Sequence, residues 1–364
     1  MCDTLCVRHD AGMWFAKNSD RHPDEVQLVE WHDRRSPGAA LRTQYLTVPD
    51  AGAHAFLGSR PAWLWGCEHG VNEHGVAVGN QKIFTSDDPR RLPPALLGMD
   101  VVRLALERAR SAGDALVVCT SMIEQYGQGG SGEPHRDEPY FSSFLVTDAR
   151  EGWIIETSDR TWVARPVGSG ASISNRVSMT TNWTAASVDV APGSNFDARR
   201  HPKAPTERSD HRLATTAACV ARGSGTTLAA IATTLRDHTD NGSGYSVCMH
   251  RPESHARTTA SMIVDLRADG APTRAWTCLG NPCVGVYVPV FPPAVAPELA
   301  TPELWTRFTA LTNADEARAV LDPLESELWA AADDAYASGD RARMTNFARG
   351  AGQRVDEALR RLGV

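Results

Sequence analysis

No stretch of this chain holds the roughly 20 consecutive apolar residues of a membrane span, so no bilayer-crossing helix is expected. A basic excess is missing too: 37 Lys and Arg stand against 44 Asp and Glu, for a net charge of −7. That balance gives no electrostatic reason to expect nucleic acid or an anionic membrane as partner. The N-terminus lacks the basic-then-apolar layout of a signal peptide and turns polar by Arg8-His9-Asp10, which points to a cytoplasmic location. Among eight cysteines there is no CxxC, and among twelve histidines no HExxH. Cys2-x3-Cys6 and Cys278-x4-Cys283 have no partner pair at finger-like spacing, so no metal is expected. In a reducing compartment the thiols should be free and mostly packed as small hydrophobes. No internal repeat is visible.

What is present is material for a large core. The chain has 364 residues, 42% of them apolar, and ten tryptophans, enough for one large domain with an appendage or for two domains. Apolar runs at 4–8 and 13–16 flank His9-Asp10-Ala11-Gly12 and predict a hairpin whose paired residue numbers sum to about 21. Strands are further expected at 27–31, 63–67, 76–80, 141–147, 152–156, 161–165, 171–174, 260–266, 274–279 and 284–288. Helical spacing marks 96–112, 114–126, 211–222 and 226–237. Segment 127–139 reads as a Gly-rich charged loop, and 191–210 as a long polar one. From about Thr301 onward the pattern is helical, and 292–302, with four prolines, is the best boundary. Strands and helices come in separate runs, which implies segregated layers rather than βαβ alternation.

Cys2 is the residue that raises a chemical question. Removal of Met1, usual before a small side chain, would leave one residue with both a thiol and a free α-amine. Their ordinary pKa values of about 8.5 and 7.7–8.0 suit a nucleophile and its own base. The hairpin register sets Cys2 across from Lys17-Asn18-Ser19-Asp20, a cluster of ammonium, amide, hydroxyl and carboxylate. A cationic, exposed setting would make Cys2 the most reactive thiol of the eight. His69, His74, His238, His250 and His255 show no metal-binding spacing, and an α-amine removes the need for a histidine base. They are expected to be structural or to line a substrate site.

Several motifs in fixed order carry a resemblance: M-C-D-T-L at 1–5, A-K-N-S-D-R at 16–21 and W-G-C-E-H-G-V-N-E-H-G-V-A-V-G-N at 65–80. L-L-G-M-D-V-V-R-L-A-L-E-R at 96–108, Y-G-Q-G-G at 126–130, S-I-S-N-R at 172–176, T-T-A-S-M-I at 258–263 and G-N-P-C at 280–283 follow. Over residues 2–290 the chain resembles the secernin and dipeptidase branch of the cysteine N-terminal nucleophile hydrolases, and secernin-like chains also carry the helical tail. The resemblance implies an α+β fold, a four-layer αββα sandwich over residues 1–291, with a helical segment 292–364 packed on it.

It also implies roles. Cys2 matches the nucleophile and Asp20 the carboxylate that holds the terminal amine. Asn80 and Asn175 match amides of the oxyanion hole, and Lys17 falls where relatives carry an arginine, keeping the charge without the bidentate fork. Arg212, in S-D-H-R, corresponds more loosely to a site arginine, so Lys17 and Arg212 are expected at the substrate. The implied activity is cleavage of a linear amide, a dipeptide or short peptide, through a Cys2 thioester without metal or cofactor. An acylase acting on a non-peptide amide and a non-hydrolytic regulatory protein are the alternatives. The expected partner is a small peptide or amide, and homo-oligomerisation is left open.

Overall fold

A computed structural model describes residues 1–242, 244–251 and 256–364. His255 therefore lies outside the described residues. The chain opens with β1 (Cys2–His9) and β2 (Gly12–Arg21), then β3 (Gln27–His32) and a small ribbon of β4 (Leu41–Arg42) and β5 (Thr47–Val48). Strands β6 (Phe56–Pro61), β7 (His69–Asn72) and β8 (Ala77–Ile83) lead into α1 (Gly98–Arg108) and α2 (Ala112–Tyr126). Next come β9 (Phe141–Thr147), β10 (Gly152–Ser158), β11 (Thr161–Pro166), β12 (Gly170–Ile173) and β13 (Ala185–Ala186). Helices α3 (Thr206–Val220) and α4 (Leu228–Leu235) precede β14 (His250–Arg251), β15 (Ala256–Arg267), β16 (Arg274–Leu279) and β17 (Val288–Val290). The chain closes with α5 (Pro302–Ala310), α6 (Ala314–Ala337) and α7 (Arg341–Arg361).

Two antiparallel sheets organise these elements. One runs β12-β1-β2-β15-β16-β17 with β14 added to β15, the other β13-β11-β10-β9-β8-β7-β6-β3. Cys6, Met13 and Phe15 from the first sheet and Leu57, Ala77 and Leu145 from the second share one buried cluster between them. The outer faces are covered by helices. Leu104 and Ile123 of α1 and α2 pack on Phe144 and Ile155, and Cys219 and Ile231 of α3 and α4 pack on Leu5 and Ile263. Each strand residue alternates between the inter-sheet layer and a helix layer, which yields the expected four-layer αββα sandwich. Leu304, Phe308, Leu328 and Leu359 of the C-terminal helices join the inter-sheet cluster, so the tail shares its core with the sheets.

The β1–β2 hairpin has the expected register: Cys2 pairs with Ser19 and His9 with Gly12, around a two-residue Asp10-Ala11 turn. The strand expected at 63–67 does not form. Gly66 lies so close to α1 that a Cβ there would stand 2.4 Å from the Met99 carbonyl carbon, and the Trp63 indole turns to donate to Glu25 at 2.8 Å. Apolar residues in that stretch answer to α1 rather than to a ladder, and the strand falls earlier, at β6. Likewise α3 starts at Thr206, five residues before the expected 211.

Candidate active site

Cys2 is the first residue of β1, and only 6% of it is exposed. Its backbone N–H donates to Asn175 Oδ1 at 2.7 Å, and the amino group of Met1 donates to the Asp20 carbonyl at 3.0 Å. The expected exposed setting is thus corrected: the sheet edge, the loop after β12 and Tyr140 enclose the thiol in a recess of about 40 Å3.

Asp20 sits beside this N-terminus because the β2–β15 ladder is interrupted there. Thr258 pairs with Asp20 and Ala260 with Ser19, leaving Thr259 as an extra residue in β15. Bulges of this kind re-aim side chains. Here Thr258 Oγ1 donates to Asp20 Oδ1 at 2.7 Å. Asp20 Oδ2 lies 3.6 Å from Arg212 Nη1 and accepts no hydrogen bond among the described residues. Burial pushes the Asp20 carboxyl up to about 6, against the opposing pull of the amino terminus and Arg212. A buried carboxylate with one unmet oxygen is a strong acceptor for any donor that appears beside it.

The two asparagines occupy different positions. Asn80 of β8 lines the recess; among the described residues its Oδ1 has no partner and its Nδ2 makes only long contacts, to Ser142 Oγ at 3.4 Å and Met99 Sδ at 3.5 Å. Its amide donor can therefore turn to an oxyanion. Asn175 instead spends its Nδ2 on the Lys82 carbonyl at 2.8 Å, while its Oδ1 accepts from Cys2 N–H and from Arg212 Nη2 at 2.8 Å. Two donors converge on that oxygen, so the amide orientation is dictated by the network. In this arrangement the Asn175 carbonyl oxygen faces the Cys2 nitrogen, and its amide donor is engaged by the Lys82 carbonyl.

Lys17 and Arg212, both expected at the substrate, lie behind the nucleophile. Lys17 is fully buried and donates to Ser19 Oγ at 2.8 Å, with Glu68 Oε2 at 3.7 Å. It fits between the sheets because Gly79, opposite it, has no Cβ; one would stand 2.8 Å from Lys17 Cδ. Arg212 reaches from α3 under β1, donating to Asp3 Oδ2 at 2.7 Å and to the Cys2 carbonyl at 3.4 Å. The Asp3 carboxylate also accepts from Ser174 Oγ at 2.7 Å. Neither cation lines the recess, and each is held by buried partners. Replacing Arg212 by Met should lower stability by about 3–5 kcal/mol, because it strands Asp3 as an uncompensated buried charge. Urea unfolding reads this directly, and a stable Arg212→Met protein with a raised KM would restore the substrate role.

Groups that do line the recess include Arg21, Glu68, Lys82, Glu133 and Tyr140. Arg21 is one of two cations lining it, donating to Glu68 Oε1 at 2.6 Å, to Glu25 Oε2 at 2.8 Å and to the Gly132 carbonyl. The alternation of β2 held the signal for it. Lys17, Ser19 and Arg21 share the face on which Cys2 meets Ser19, and the open end of the strand belongs to Arg21. The Gly-rich loop after α2 supplies Gly132 and Glu133. Lys82 and Tyr140 also line a neighbouring cavity of about 900 Å3. Charges of both signs border it, among them Arg90, Arg199, Asp87 and Glu138.

His69 is fully buried against Ser19 Oγ at 3.2 Å, and burial, then the Lys17 charge, hold its pKa well below the ordinary value. It is a neutral structural residue. His74 packs edge-on against His54. All eight thiols are free, and only Cys283 is more than slightly exposed. Hydrogen bonding with Cys248, and then with His238 and His250, draws the Cys283 thiol far below its ordinary range despite burial. Cys283 is thus an accessible thiol held toward thiolate.

A family model for the acyl-coenzyme A:6-aminopenicillanic acid acyl-transferase matches residues 7–283, about three quarters of the chain. Among solved structures, penicillin V acylase from Agrobacterium tumefaciens is similar at 12% identity and a TM-score of 0.49, covering 83% of this chain and 88% of that one. A mutant of conjugated bile acid hydrolase from Clostridium perfringens is similar at 10% identity and a TM-score of 0.46, covering 76% and 88%. An N-acylethanolamine-hydrolyzing acid amidase ortholog from Caenorhabditis elegans gives 10% and 0.43, covering 72% and 92%. Likeness at that level says nothing of substrate. Through that match the chain belongs to the acyl-coenzyme A:6-aminopenicillanic acid acyl-transferase family, enzymes of the N-terminal-nucleophile acylase type.

Proposed function

We propose that this enzyme hydrolyses the amide bond of a dipeptide or short peptide through a thioester on Cys2, once Met1 has been removed. One observation carries the reading. The Cys2 nitrogen, held by Asn175, shares one recess with Asp20, a buried carboxyl with an unmet oxygen among the described residues. Cleavage of Met1 turns that nitrogen from an amide with one N–H into an amine able to accept a proton and to offer further donors. In this reading Asp20 receives them.

In this mechanism the free amine of Cys2 takes the thiol proton, and Sγ attacks the substrate carbonyl carbon. The oxyanion that forms accepts from Asn80 Nδ2, a contact of the kind whose loss costs about 10²–10³ in rate. Collapse breaks the C–N bond, and the amine returns the proton to the departing nitrogen. Water then cleaves the thioester, regenerating the thiol and releasing the acid. Arg212 keeps the β1 terminus and Asn175 in place throughout.

The mixed charge around the adjoining cavity supports a peptide over an apolar acyl amide. A short zwitterionic peptide offers a carboxylate and an ammonium that can exchange with ion pairs at the wall, such as Arg199 and Asp87 at 3.4 Å, whereas a fatty or aryl acyl chain offers neither. Intact-protein mass spectrometry against a library of dipeptides and acyl amides is the test. The mature chain is expected to lack Met1 and to gain the acyl mass on Cys2 from dipeptides. Adducts from acyl amides alone would move the substrate class to a non-peptide amide. A reactive Cys2 that turns over nothing in the library would leave a binding protein in place of an enzyme.

A further inference from the structure

Away from the Cys2 recess, four side chains from three separate segments converge. His238 follows α4, Cys248 and His250 lie at the entry to β14, and Cys283 follows β16. Their ligand atoms all lie within 4.8 Å of one another. Cys248 Sγ and His250 Nε2 are 3.5 Å apart, His250 Nε2 and Cys283 Sγ 3.1 Å. Zinc bonds of about 2.0–2.3 Å in a tetrahedron separate ligand atoms by about 3.3–3.8 Å, so the cluster needs only small adjustments to close on an ion.

We propose that His238, Cys248, His250 and Cys283 form a structural Zn2+ site. Two thiolates and two neutral imidazoles neutralise the divalent charge and fill four positions, the closed ligand set of a structural rather than a catalytic zinc. Binding releases the thiol protons. The surroundings suit a thiolate pair. Asn281 Nδ2 points at Cys248 Sγ at 4.0 Å, and Arg257 holds the Asn281 carbonyl oxygen. Such outer partners orient ligands and stabilise their charge. Both imidazoles are exposed, giving the ion an entry path, while Cys248 is buried.

Spacing along the chain hid the site because its ligands are 10, 2 and 33 residues apart and no pair reads as a finger half. The ion would staple the segment leading into β14 to the turn after β16. That segment carries Met249, whose N–H donates to Thr258 Oγ1 at 2.8 Å, the hydroxyl that in turn holds Asp20. The zinc site thus supports one wall of the Cys2 centre without touching it.

The full-length chain, reduced and dialysed against chelator, is titrated with Co2+ and with Zn2+. One equivalent of Co2+ should give tetrahedral d–d absorption with a thiolate-to-cobalt charge-transfer band, and Zn2+ should bleach both. Zn2+ should also slow iodoacetamide labelling of Cys283, read by peptide mapping, and leave Cys2 labelling unchanged. Because Cys248→Ser risks the core, His250→Ala is the companion variant. It should weaken Zn2+ binding by more than about 100-fold, beyond what outer partners cost, while the protein stays folded. An octahedral Co2+ spectrum without the thiolate band, Cys283 labelling indifferent to zinc, or a Cys248–Cys283 disulfide in the purified chain would each overturn the assignment. None of these readouts depends on turnover at Cys2.

Discussion

A chain carrying an uncleavable extension before Cys2 is expected to fold normally and to lose its activity. With Met1 attached, the Cys2 nitrogen is a peptide N–H that donates to Asn175 Oδ1 at 2.7 Å. An amide nitrogen in that state has no basic lone pair, so the thiol loses the base that its own α-amine would supply. His69 is fully buried with Nδ1 3.2 Å from Ser19 Oγ, and it does not line the recess. Loss of a positioned base costs about 10²–10⁴ in rate, and steric closure of the recess by the extension adds to that. Folding should be little affected, because Met1 at the end of β1 contributes its bond to the Asp20 carbonyl and partial packing against Tyr245, Met249 and Ala256. The comparison is steady-state kcat with a dipeptide before and after a protease that exposes Cys2, with urea unfolding of both forms. Equal activity in both would end the α-amine mechanism.

Substitution of Asn175 gives the second large effect, and two variants separate its two conceivable roles. As holder of the amine, Asn175 needs its carbonyl oxygen, which accepts from Cys2 N–H and Arg212 Nη2. Asn175→Ala removes that acceptor, freeing the nucleophile's nitrogen and leaving part of a buried guanidinium unmet. We expect kcat to fall by about 10²–10³, comparable to losing one preorganised contact at the reacting centre, with a stability loss of about 1–3 kcal/mol. Asn175→Asp keeps an acceptor toward both donors and loses only the bond to the Lys82 carbonyl. It should recover much of the activity. An oxyanion donor predicts the reverse order, since a carboxylate repels the oxyanion and would be worse than alanine. Finding Asn175→Asp less active than Asn175→Ala would return Asn175 to the oxyanion hole.

Local sequence was sufficient for the part of the site that a single hairpin builds. A two-residue Asp10-Ala11 turn sets the register, the register pairs Cys2 with Ser19, and Asp20 follows at the strand end. Periodicity likewise marked α1, α2 and the helical tail, because each buries one face against a sheet. Segment 63–67 failed as a strand for the complementary reason: its apolar residues pack on α1, a contact no window of five residues contains. The motif A-K-N-S-D-R held two cations, and only the second sheet decided between them. It buries Lys17 under Gly79 and leaves Arg21 at the recess.

The same holds for contacts made across the fold. Arg212 stands 209 positions from Asp3 and Asn175 stands 173 from Cys2, so neither their meeting nor the direction of the Asn175 amide was readable along the chain. The bulge that turns Thr258 to Asp20 and the return of β16 that carries Cys283 to His238, Cys248 and His250 are decisions of the same kind. Residue types and their local register specify which chemistry the chain can hold. Which atom of each side chain faces the nucleophile was settled by the packing of layers, because a strand's two faces are equivalent until something covers one of them.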